Sequence, residues 1–160
     1  MKNSKAILVV LLSGLMLVMV FTPVYGQENW EKGLAQDIYE GIRAVQQICK
    51  QRGKVECELI EITKDPPFLA EGQVIDYVGV RMANFLYVYL VASESDKMNP
   101  DIYLFDSSGR LLQKGRNITG PRDWAAHIPD YTQKIIIRIR MSKGSGHIAV
   151  AVLAPVVPVQ

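Results

Sequence analysis

Histidine and cysteine are scarce in this chain of 160 residues, two of each. With only His127 and His147, no HExxH pair or close histidine pair exists to hold catalytic zinc. No serine sits in a GxSxG elbow, and no Cys/His or CxxC arrangement activates a thiol. No glycine-rich loop follows a strand and opens a helix, which removes the usual phosphate cradle. The chain therefore reads as a non-enzyme with no cofactor. Low-complexity segments, internal repeats and interdomain linkers are absent as well.

What the chain has is a biased beginning. Lys2 and Lys5 precede an apolar run over residues 6–22, and Pro23 and Val24-Tyr25-Gly26 lead to a polar shift at Gln27. That order predicts a secretory signal peptide over 1–26, cleaved after Gly26 and with no membrane span thereafter, the alternative being an uncleaved anchor helix. No cysteine closes the run, which argues against a lipoprotein anchor. The chain is then expected in the periplasm or secreted.

Lys2 and Lys5 are the only charged residues before position 27, so sixteen basic side chains face sixteen acidic ones beyond it. A near-neutral whole gives no net-charge argument for nucleic acid or membrane binding, and no nucleic-acid partner is expected. The charge is uneven, however: residues 107–143 carry eight cations and only Asp123 and Asp130 as acids.

Residues 28–52 place Trp30, Leu34, Ile38, Ile42, Val45, Ile48 and Cys49 at steps of three and four, the period of an amphipathic helix. Gly53 suits its end, with Lys50 and Arg52 complementing the dipole. Gly33 and Gly41 each weaken the helix interior by about 1 kcal/mol, so packing must hold it. Cys49 and Cys57 are the only cysteines, and in an oxidising compartment they are expected to bond to each other.

Beyond the helix, strands dominate. Val55, Cys57 and Leu59 alternate with glutamates before Ile60 and Ile62 change parity, which predicts a bulge near Leu59. Residues 74–82 and 85–92 read as two strands around an Ala83-Asn84 turn, the second apolar on both faces. Residues 101–113 read as a central strand running through a Ser107-Ser108-Gly109 turn. A long connection over 113–131 follows, either functional or holding short structure of its own. Ile135, Ile137, Ile139 and Met141 then alternate with Ile136, Arg138 and Arg140, and Gly144-Ser145-Gly146 predicts a last hairpin. The expected layout is helix 27–54, sandwich domain 55–154 and tail 155–160, helix and sandwich forming one domain.

Glu71-Gly72-Gln73, DIYLFDSSGRLL at 101–112 and IIIRIRMSKGSGHIAVAV at 135–152 resemble the bacterial pre-peptidase C-terminal domain, over about 68–153. The resemblance implies an antiparallel, jelly-roll-like β-sandwich, mostly β, with the helix packed on it as an addition to the family pattern. It also implies a noncatalytic role, since such domains mostly accompany secreted enzymes. His147-Ile148 stands where the family often has tyrosine after the last turn glycine.

Candidate binding residues are Arg116, Arg122, Trp124, His127 and Tyr131 in the long connection, with Arg138 and Arg140 on the basic strand; cations mixed with aromatics mark binding surfaces. Trp124 either plugs the end of the sandwich or anchors a ligand. Asp96, Asp101 and Asp106 mark one end of the central strand as a conceivable calcium position, without EF-hand spacing; no metal site is assigned. Asn117-Ile118-Thr119 is a glycosylation sequon. The expected function is a noncatalytic exported binding or structural module that recognises a protein or an anionic envelope polymer through end loops. The alternative is a periplasmic inhibitor of a cell-wall hydrolase such as lysozyme, its acidic stretch over 76–106 facing a basic enzyme. A small hydrolase is the third reading.

Overall fold

The computed structural model describes residues 30–53, 56–116 and 120–155. The expected signal segment, the sequon and most of the expected tail lie outside the described residues. Helix α1 spans residues 30–48 and widens into a π turn at Cys49–Gly53. Nine strands follow among the described residues: β1 Cys57–Ile62, β2 Phe68–Leu69, β3 Val74–Arg81, β4 Tyr87–Ser93, β5 Asn99–Asp106, β6 Leu111–Lys114, β7 Arg122–His127, β8 Gln133–Lys143 and β9 Gly146–Pro155. Pro155 closes β9 rather than opening a tail.

The strands form two antiparallel sheets. The first runs β1-β9-β4-β7, with short β2 also paired to β9; the second runs β3-β8-β5-β6. Among the described residues β5 and β6 are the only consecutive strands that pair, and every other connection crosses between sheets or passes over a strand. This is jelly-roll order, and the expected β-sandwich with an N-terminal helix is the observed fold.

That topology corrects two local expectations. The Ala83-Asn84 turn does not close a hairpin, because β3 belongs to the second sheet and β4 to the first. Gly144-Ser145 likewise carries the chain from β8 in one sheet to β9 in the other. Turn residues mark where a strand stops; they do not choose its partner. The true hairpin, β5 to β6, turns on Asp106. Its Oδ1 accepts from Ser108 N at 2.9 Å, Ser108 Oγ at 2.6 Å and Arg110 N at 3.0 Å. These bonds, the Ser108 hydroxyl first among them, hold the Asp106 carboxyl down at about 2.

Between the sheets, Tyr89, Val91, Val150 and Val152 of the first sheet meet Ile102, Leu104, Ile135, Ile137 and Ile139 of the second in one buried core. A second apolar layer lies on the other side of the first sheet. Leu34, Ile38, Ile42 and Val45 of α1 are buried, and so are Val88, Leu90, Ala149, Ala151 and Leu153, which share that outer face. The alanines leave room for a helix. So does Gly41, where an added Cβ would sit 2.6 Å from Leu90 Cδ2, so the glycine that weakens the helix also lets it seat. The all-buried pattern of β4 follows from these two layers.

The Cys49 to Cys57 disulfide is present, with Cα atoms 6.2 Å apart, and Gln46 Nε2 donates to Cys57 O at 3.1 Å. Together they fasten the helix end to the first strand. The expected bulge in β1 appears as a register shift between Leu59 and Glu61 against β9.

Candidate functional site

The two sheets differ in what covers them: α1 lies on the outer face of the first, whereas among the described residues no element covers the outer face of the second. Register defines the rows of that open face. Val74, Arg140 and Asp101 stand in one row; Asp76, Arg138, Tyr103 and Lys114 in the next. The third row is wholly apolar, with Val78, Ile136, Phe105 and Leu111 crossing all four strands, and Val80 and Lys134 begin a fourth. Val78, Val80 and Leu111 are 55, 67 and 51% exposed, so these side chains are packed against little.

Cations frame the apolar row. Arg138 donates Nε to Asp76 Oδ1 at 2.8 Å and Nη2 to Oδ2 at 2.7 Å, and its guanidinium lies 5.0 Å from the Phe105 ring centroid. Hydrogen bonding from Arg138 holds the Asp76 carboxyl below its ordinary range. Lys114 lies 5.6 Å from the Tyr103 ring centroid. Among the described residues Arg140 and Lys134 make no ion pair and remain available. The expectation that Arg138 and Arg140 share one exposed face corresponds to this arrangement.

The other expected site residues fall elsewhere. The connection over 113–131 contains strand β7, so Arg122, Trp124 and His127 are strand residues rather than loop residues. Trp124 stands opposite Leu90 on the outer face of the first sheet, not as a plug over the sandwich end. The Arg116 guanidinium stacks 4.6 Å from its ring centroid. Arg122 reaches Glu40 at 3.1 Å and Asp37 at 3.5 Å, tying β7 to α1. His127 ends β7 with a buried Nε2, and burial lowers its pKa, opposed in part by Asp130. Tyr131 is exposed in the following loop. The structure thus brings Arg116 onto Trp124 of the first sheet and sets Arg138 and Arg140 together on the second.

The apolar row went unread because its members come from four strands separated in sequence. The acidic stretch over 76–106 is largely engaged: Asp76 with Arg138, Asp106 with its turn, and Glu94 with His147 Nδ1 at 3.1 Å. Among the described residues, no three His, Cys, Asp or Glu side chains gather as metal ligands, and no helix is long and apolar enough to cross a membrane.

No family model matches the chain, and no curated protein sequence matches it. Among solved structures, one similar chain is PliG of Aeromonas hydrophila, a periplasmic lysozyme inhibitor of g-type lysozyme. The two are 11% identical with a TM-score of 0.45, over 64% of this chain and 89% of that one.

Proposed function

We propose that this protein is a noncatalytic exported module that binds an acidic protein surface through the open face of its second sheet. One observation carries the reading: an apolar row crosses all four strands between cations, on the one sheet face that no element of the chain covers among the described residues. An aromatic and aliphatic centre within a charged rim is the anatomy of protein interfaces. A purely anionic polymer would use the cations and leave Val78, Ile136 and Leu111 without a role. The signal-like segment and the Cys49–Cys57 bond support export.

The test compares retention of envelope proteins on the immobilised wild type and three variants. Val78→Lys with Leu111→Lys interrupts the apolar row, Arg138→Glu with Arg140→Glu reverses the cations, and Arg116→Glu, in the connection between β6 and β7, is the control away from that face. A specific partner should be lost with the first two and kept with the third, and retention should fall with salt. Retention indifferent to both sheet-face variants would refute the reading. A panel of lysozymes added to the same variants tests the inhibitor alternative; inhibition lost with the sheet-face variants would identify the partner as a cell-wall hydrolase.

A further inference from the structure

The geometry points to a second site, independent of the sheet face: a groove beside α1 that takes a small amphiphile with an apolar chain and an anionic head. Its origin is dimensional. A helix about 10 Å wide cannot cover a sheet whose outer strand axes lie about 14 Å apart at 4.8 Å per strand. The helix seats over β4 and β9, where Val88, Leu90, Ala151 and Leu153 are buried, and the outer face of β7 is left partly open.

The result is a groove of about 300 Å³ whose walls include Ala44, Val45 and Ile48 of α1 and Leu90, Pro121 and Trp124 of the sheet side. At about 30 Å³ per small group, near the liquid share of a water, it holds about ten carbon atoms. Val45 and Leu90 form a buried floor, while Ile48 remains 42% exposed at the rim. An apolar chain laid there would cover Ile48 and the open part of Trp124.

Charge selects the head group. Arg122 also lines the groove, but Asp37 and Glu40 already oppose its charge. Arg116 differs: stacked on Trp124, it has no carboxylate partner among the described residues. A guanidinium 4.6 Å from the centroid of the ring that walls the groove suits a carboxylate at the end of the chain.

The test titrates the disulfide-bonded protein with sodium decanoate below its micelle concentration, following the Trp124 indole N–H by NMR, with Trp30 as internal reference. Decyltrimethylammonium, of equal chain length and opposite charge, is the comparison. Decanoate should shift the Trp124 signal saturably, at least about tenfold more tightly than the cation. Ala44→Phe, at an exposed helix position, should fill the groove and abolish binding, and Ile48→Gln should weaken it without filling anything. Arg116→Glu should remove the preference for the anion. Absence of a saturable shift, equal binding of the two amphiphiles, or decanoate binding that survives Ala44→Phe in a folded variant would each overturn the proposal.

Discussion

The Arg81 guanidinium donates Nη1 to Glu61 Oε1 at 2.8 Å and Nη2 to Oε2 at 2.9 Å, clasping the edge strand of the second sheet to that of the first. Arg81 is 3% exposed and also faces the Tyr87 and Tyr89 rings at 5.4 and 5.7 Å. A buried cation held by one carboxylate depends on that carboxylate. Glu61→Ala is expected to cost about 2 to 4 kcal/mol in urea unfolding, somewhat less than a fully buried pair because Glu61 is half exposed. Replacing both partners, Arg81→Met with Glu61→Leu, should cost less than removing Glu61 alone.

Gly79 belongs to the same device. A Cβ there would lie 2.5 Å from Arg81 Nη1 and 2.7 Å from Cζ, so alanine must push the guanidinium off its partner. Gly79→Ala should destabilise the wild type and cost less in the Glu61→Ala background, with coupling above about 0.5 kcal/mol. Strict additivity would mean that Gly79 acts separately from the clasp.

Asp106 makes a pH prediction. Its folded pKa of about 2 lies below the ordinary carboxylate value, so its contribution is complete above pH 4 and is lost as pH falls toward 2. Thermal unfolding of Asp106→Asn against wild type should show a lower midpoint for the variant at pH 7 and a shrinking gap between pH 4 and 2. A gap constant through that window would remove the ionised carboxylate from the account.

His127 works in the same direction at higher pH. Burial lowers its folded pKa, so below pH 6.5 the unfolded chain binds the proton more readily and stability falls. Its ring should titrate below 6.5 by NMR, and His127→Phe should lessen the stability lost between pH 7 and 5.

Arg122 is expected to matter for stability although it is partly exposed. Arg122→Glu sets a carboxylate against Asp37 and Glu40 and should cost about 1 kcal/mol. Adding Glu40→Arg should recover much of that loss, as measured by thermal midpoint.

What could be read ahead of the structure was whatever has a short period. Ile135, Ile137 and Ile139 against Arg138 and Arg140 disclosed an inner and an outer face, and Leu34, Ile38, Ile42 and Val45 disclosed a helix stripe. The Cys49–Cys57 bond followed from there being no other cysteine. β7 stayed hidden because its inward Asp123 breaks the apolar alternation; that carboxylate is tolerated inside because it accepts from Ile102 N at 3.0 Å, a partner on another strand. The open sheet face was half legible, since Arg138 and Arg140 share a strand. Val78 joins Ile136, and Leu111 joins Phe105, only through the register between strands.

The position of β9 also governs when the molecule can assemble. It lies between β1 and β4, carries β2 as well, and supplies Ala149, Ala151 and Leu153 to the surface under the helix. Until residues 146–155 have left the ribosome, α1 has no complete landing surface and β1 and β4 have no common neighbour. The first sheet and the helix layer upon it can therefore close only after residues 146–155 have emerged, which makes their assembly a late event in the life of the chain.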